Sequence, residues 1–153
     1  MFSKKTKYGL MAILALAREN SPEPMLIADL AKQENIPVKF LEQILLQLKN
    51  SGIVDSRRGK NGGYFLNRNA SDVTMGQVVR ILEGPLAPIP CVSQTAYRKC
   101  TDCTDEASCG IRLVMKDVRD AIAGILDQTS FEEVIRRSRE AARQSGQPVD
   151  HTI

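Results

Sequence analysis

The chain has no tryptophan, a single histidine, and aromatic residues at only 5% of its positions. With so few rings, its core has to be filled by Leu, Ile, Val and Ala. The lone histidine, His151, lies in the polar C-terminal tail, where it reads as a solvated terminal residue rather than a catalytic base. No paired carboxylates stand out. Gly59, Gly62 and Gly63 sit at a hairpin tip with no helix behind them, as a phosphate-cradling loop would need. Acid–base enzyme chemistry is thereby left without a carrier, and the chain is not expected to be an enzyme. No apolar run is long enough to cross a bilayer. The N-terminal MFSKKTKYGLMAILALAREN is basic and then apolar, like a signal peptide, but it lacks a clean cleavage site. Its apolar residues are spaced as one helix face, so it is expected to be a folded helix of a cytoplasmic protein. Cysteine is absent before residue 91 and after residue 109.

What is present is ordinary for a globular protein: 153 residues, 42% apolar and 25% charged, enough for one domain or one domain with an arm. The net charge of +3 hides an asymmetry. Residues 1–68 carry 11 Lys and Arg against 6 Asp and Glu, whereas residues 69–153 carry 10 against 12. A polyanion is to be sought at the basic half, with a solubilising surface as the alternative.

Helical patterns, one hairpin and one irregular segment precede the tail. In Lys4–Asn20, Leu10, Ile13, Leu14 and Ala17 recur at helical spacing, and Ser21-Pro22-Glu23-Pro24 ends the helix. Leu26–Gln33 is a short second helix. A third follows, with Pro37 at its first position, Leu41, Ile44, Leu45 and Leu48 inward, and Gly52 just past its end. Ile53–Ser56 and Tyr64–Leu66 read as strands joined by Arg57-Arg58-Gly59-Lys60-Asn61-Gly62-Gly63, where Asn-Gly is the hairpin signal. Two helices and a turn are a weak pattern alone, but a hairpin directly after them is the wing of a winged helix. Thr74 and Gln77 suit a capping box opening the next helix. Pro85, Pro88 and Pro90 then forbid regular helix. After Cys109 comes the longest amphipathic pattern: Ile111, Val114, Val118, Ala121 and Ile125 form one seam, with Leu113, Met115, Ile122 and Leu126 mostly outside it. A helix with two apolar faces packs either on its own domain and a second copy, or between two layers of one subunit. Ser130 and Glu133 cap a last helix to about Gln144, and GQPVDHTI is expected to be a disordered tail.

The fold class expected is thus mainly α with a small β-hairpin. The organisation is a winged helix-turn-helix domain for DNA over residues 1–84, a cysteine-bearing loop over 85–109, a dimerisation helix and C-terminal helix over 110–145, and a tail over 146–153. A recognition helix reads base edges from its N-terminal half, here Val38 to Gln43. Lys39, Glu42 and Gln43 share one exposed face, with side chains suited to guanine or phosphate, cytosine and adenine respectively. Arg57, Arg58 and Lys60 could enter a minor groove, and Lys4, Lys5 and Lys7 could hold phosphates. Singly each cation reads as a solvated charge; as a set on this pattern they point to double-stranded DNA.

Cys100 and Cys103 form a C-x-x-C pair, with Cys109 beyond it and Cys91 upstream. Four clustered thiols in a reducing compartment suit zinc or an iron–sulfur cluster better than disulfides. A single C-x-x-C is half of the usual zinc-ribbon pair, which weakens zinc. Arg98, Lys99 and Arg112 are expected to favour thiolate. The alternative is four free thiols without a cofactor.

Several of these stretches resemble one family: Lys7-Tyr8-Gly9-Leu10, VKFLEQILLQLKNSGIV, the wing RRGKNGGYFL, and VTMGQVVRILEG followed by spaced cysteines. They are similar to the Rrf-two family of winged-helix regulators, whose branches include IscR, NsrR and CymR. The resemblance covers about residues 1–135, and the RGxxGGYxL wing is its most specific part. It implies a bacterial, homodimeric transcription regulator that binds a partly palindromic operator, with the helix Ile111–Leu126 as the dimer interface. Phe40, Glu42, Gln43 and Arg58 match family positions that meet DNA. In cluster-bearing members three spaced cysteines hold an iron–sulfur cluster, usually [2Fe–2S], and occupancy alters DNA binding. Cys91, Cys103 and Cys109 align with those ligands. The further ligand departs from the pattern: where the IscR branch has a histidine this chain has Arg112, and where the NsrR branch has an aspartate it has Lys7. Cys100, which the resemblance does not call for, is the candidate fourth ligand. Three outcomes stay open: a redox, iron–sulfur or nitric oxide sensor; a cluster-free regulator of sulfur metabolism controlled by thiol oxidation or a partner protein; and, from another class, a zinc-bound adaptor.

Overall fold

The apolar periodicities become helices that bury one face each. The computed structural model describes residues 2–19 and 23–146. Its elements run α1 Lys4–Glu19, α2 Ile27–Glu34, α3 Val38–Asn50, β1 Val54–Arg57, β2 Gly63–Leu66, α4 Met75–Leu82, a 3-10 turn Pro90–Val92, α5 Gly110–Gln128 and α6 Phe131–Gln144. This is the expected α-rich architecture with one hairpin. Asn20, Ser21 and Pro22, read as the end of the first helix, lie outside the described residues, as do residues 147–153 of the tail, His151 among them.

Leu41, Ile44, Leu45 and Leu48 of α3 are buried against Ala12, Ile13 and Leu16 of α1 and Leu30 of α2. Fully burying each such aliphatic side chain contributes about 1.5–3 kcal/mol. Pro37 differs by one position from expectation. Its extended backbone (φ −58°, ψ 129°) makes it the residue before the helix, and its carbonyl accepts from Leu41 N. The capping box at Thr74 and Gln77 forms in both directions, and the Ser130 side chain accepts from Glu133 N.

The hairpin pairs antiparallel, Val54 opposite Leu66 and Arg57 opposite Gly63. Met25 extends it as a single bridge, exchanging both backbone hydrogen bonds with Tyr64 at 2.8 Å each. Gly63 explains much of the wing motif. Its φ is +142°, and a Cβ there would lie 2.2 Å from the Met25 carbonyl oxygen.

The C-terminal helices attach at a short junction. Met75 N donates to Thr129 O, Phe131 N to Val73 O and Glu132 N to Ala70 O, and Thr74 bridges Ser130. Phe131 is buried in the winged core at 1% exposure. By contrast, no residue of α5 is fully buried. Ile111, Val114, Val118, Ala121 and Ile125 all face solvent in the single chain, Ile111 at 69%. A helix buried between two layers of one subunit is therefore not what this chain forms.

Gly63→Ala should destabilise the protein by about 2 kcal/mol or more, since strained backbone and a collision with main chain act together. Urea unfolding monitored by far-UV circular dichroism measures this.

Candidate functional site

On α3 the side chains of Lys39, Glu42 and Gln43 are exposed along one face. Phe40 points elsewhere: it is half-buried, its ring edge-on to Tyr8 with centroids 5.6 Å apart, and it fastens the start of α3 to α1. Lys49 Nζ donates to Ser56 Oγ at 2.7 Å, tying the far end of α3 to the wing. At the wing Arg58 and Lys60 are exposed, while the Arg57 guanidinium lies over the Phe65 ring at 5.2 Å. Arg57 is thus held on the sheet by a cation–π contact, and Arg58 and Lys60 form the free tip. No ion pair among the described residues engages any of these cations. Lys4 and Lys7 are exposed and Lys5 half-exposed at the start of α1. Here the carboxylate of Glu83, at the end of α4, accepts from Thr6 Oγ1, Ser3 N and Ser3 Oγ. The Thr6 hydroxyl and then the Ser3 donors hold that carboxyl down at about 2.

Sequence spacing did not foresee α4 as a junction piece. Gln47 Nε2 of α3 donates to Ile81 O at 2.7 Å. From the other side of α4, Arg80 makes a two-pronged salt bridge to Asp127 of α5 at 2.5 and 2.9 Å. Gly76 permits this approach, for a Cβ there would sit 2.0 Å from Asp127 Oδ1.

The thiols divide. Cys91 is buried at 7% exposure in the 3-10 turn, and Cys100, Cys103 and Cys109 are half-exposed on the following loop. Local bonds shape that loop. Ser93 Oγ accepts from Ala96 N, Asp105 accepts from Ala107 N and Ser108 Oγ, and the Tyr97 hydroxyl donates to Glu106. Desolvation, then the hydrogen bond and charge of Cys109, hold the Cys103 thiol above its ordinary value. The expectation that Arg98, Lys99 and Arg112 would favour thiolate is therefore reversed at Cys103. Arg112 Nε donates to the Cys91 carbonyl at 3.4 Å. Arg119 NH1 donates to the Val92 carbonyl at 2.7 Å.

A cluster or zinc ion needs three or four donors converging on one point. Among the described residues no group of three or more Cys, His, Asp and Glu does so. Cys103 and Cys109 are hydrogen-bonded to each other, and Cys91 is buried in a turn whose carbonyls are held by arginines of α5. The donor set itself, Cys91, Cys100, Cys103 and Cys109, fits either group in its chemistry, and closing the set requires the loop to rearrange. The sequence signal that would have found Arg112 and Arg119 is their spacing of two helical turns, which puts both on one face of α5.

The model of the Rrf2 family, described as an iron-dependent transcriptional regulator, matches residues 2–137. An rrf2-like helix-turn-helix regulator of Rhodobacter capsulatus is 40% identical over 146 residues, 94% of this chain and 97% of its own. The structure of CymR, the global cysteine regulator of Bacillus subtilis, superposes with a TM-score of 0.73 at 31% identity over 88% of this chain and 95% of that one. T. potens IscR gives 0.71 at 26% identity over 92% and 90%.

In metal-free, reduced protein a thiol reagent such as dithionitrobenzoate should react with three thiols per chain at least about ten times faster than with the fourth. Cys91→Ser should remove the slow phase alone.

Proposed function

We propose, because the chain belongs to the Rrf2 family of transcriptional regulators, that it is a homodimer binding a partly palindromic operator, and that the cysteine segment sets its affinity. The observation that carries the DNA reading is the pairing of an unengaged cationic wing tip, Arg58 and Lys60, with the polar face Lys39, Glu42 and Gln43 of α3. In this reading α3 enters a major groove, Arg58 reaches the adjacent minor groove, and Arg57 and Phe40 support rather than read. Residues 1–84 form the DNA-binding unit, 85–109 the sensor and 110–145 the dimerisation unit. The solvent-facing seam of α5 supports a helix-on-helix dimer, because an apolar stripe of this length is costly to leave in water. No helix among the described residues is long and apolar enough to cross a membrane.

Cys91, Cys100, Cys103 and Cys109 would hold an iron–sulfur cluster, most simply [2Fe–2S]. When bound, that group supplies redox chemistry and coordination energy. The chain's own part is to order the loop and to keep Cys91 fixed against α5. An operator affinity that differs by a few kcal/mol between the two states suffices for regulation. A second reading, a cluster-free regulator switched by thiol oxidation or by a partner protein, is favoured by one observation. The four thiols do not converge, and Arg112 and Lys7 stand where the resemblance would put a further ligand.

Protein purified and reconstituted without oxygen separates these readings. A visible chromophore with iron and sulfide supports the cluster, and Cys100→Ser should then bleach or destabilise it; unchanged iron content and spectrum in that variant would remove Cys100 from the ligand set. Colourless protein that loses thiols in pairs on peroxide treatment supports the second reading. Zinc on elemental analysis with no DNA retention in gel shifts would mark a structural adaptor instead. Arg58→Ala should weaken operator binding by about 1–3 kcal/mol, whereas Lys60→Ala should mainly reduce the salt slope by about one. Fluorescence anisotropy titrations over a salt series give both.

A further inference from the structure

The C-terminal end of α5 is bolted to the winged core by Arg80–Asp127 and by the main-chain bonds at residues 129–132. Its N-terminal half is held in another way. Arg112 and Arg119, two helical turns apart on one face, donate to the successive carbonyls of Cys91 and Val92. Arg119 is the stronger of the two. Its side chain is 14% exposed, and Nε and NH2 both donate to Asp120 Oδ1, so the guanidinium is oriented by a carboxylate on one side while NH1 serves Val92 on the other. Val92 is 2% exposed, so water offers little replacement for that donor.

We infer that Arg119, assisted by Arg112, is a positioning residue through which the cysteine turn sets the angle of α5 on the winged domain. The reason is mechanical. A helix of this length is about 28 Å long, so a rotation of roughly 10° about its pinned end moves the other end by about 5 Å. With the apolar seam of α5 at a dimer interface, that displacement would pass to the partner's winged domain and change the distance between recognition helices. The main chain of residues 91–92 then carries the signal, and what happens at the Cys91 thiol reaches α5 through the two carbonyls. The inference rests on the proposed DNA-binding dimer, but not on the identity of any group held by the thiols.

The test uses the full-length, metal-free, reduced protein and an operator selected from random-sequence duplex DNA. Hydrogen–deuterium exchange is read at the amides of Val92, Ser93 and Arg98, which bond back to Ile89 and Pro90. Arg119→Gln should speed their exchange at least tenfold and weaken operator binding at least fivefold. The salt slope should not change, because no phosphate contact is lost. Arg119→Lys, which keeps a donor and the charge, should recover part of both, and Arg112→Gln should give the same pattern at smaller size, which covers the case in which Arg119→Gln folds poorly. Faster exchange with unchanged operator affinity would overturn the coupling, and unchanged exchange would overturn the contact. Failure to select any operator with wild-type protein would instead sink the DNA-binding reading. Absence of iron in anaerobic wild-type protein would sink the cluster reading and leave these results standing.

Discussion

The junction between α5 and α6 is sewn to the start of α4, and the placement of every later residue depends on it. Three main-chain hydrogen bonds join residues 70–75 to 129–132, Phe131 fills the winged core, and the Arg80–Asp127 pair lies beside them. Main-chain bonds of this kind are insensitive to side-chain chemistry and hard to replace once buried. α5 fully buries no residue of its own. It is held at the sewn junction at its C-terminal end and by the arginine contacts to the cysteine turn in its N-terminal half and middle.

α4 is short for the number of things it touches. Its last turns take a hydrogen bond from Gln47 of α3 and an ion pair from α5, and Glu83 just beyond its end caps the start of α1. A shift of α4 would disturb the proposed recognition helix, the basic N-terminus and the α5 junction together. The wing is fastened separately, through the Met25–Tyr64 bridge and the Lys49–Ser56 hydrogen bond, so that its free tip projects from a fixed base. The division between Arg57, held over Phe65, and Arg58 and Lys60, left in solvent, follows from strand alternation and the place of the turn.

The cysteine segment combines a buried anchor with a loop stabilised mainly by short-range polar bonds. Cys91 belongs to the anchor and Cys100, Cys103 and Cys109 to the loop. Such loops open at low cost, because few buried apolar contacts are lost when they move. Any chemistry that joins Cys91 to the others must therefore pull the loop onto the anchor, and the anchor is the part that touches α5. The same anchor and loop would serve a cluster or an oxidised thiol.

Much of this was legible in the residues. Helical spacing gave α1, α3 and α5 nearly to the residue, Thr74 and Ser130 announced their own caps, and Asn-Gly-Gly announced the wing, because each of these is a local rule in which neighbours in sequence are the partners. The misplacement of Pro37 by one position is the ordinary uncertainty of a helix start. What no local rule carries is long-range. Phe40 carries a sequence match to DNA-facing positions, and its half-buried ring also meets Tyr8 of another helix edge-on. Arg112 looked like a cation meant for thiols, yet it spends its donor on a carbonyl. The thiols look gathered because they are close in sequence, yet among the described residues no three of them converge on one point. The sequence by itself determined the elements, the wing and the solvent-facing stripe of α5, since periodicity and turn chemistry act within a few residues. Only the tertiary structure decided which polar side chains are consumed as struts and which are left free, since that depends on partners brought close by the fold, some of them 120 positions away.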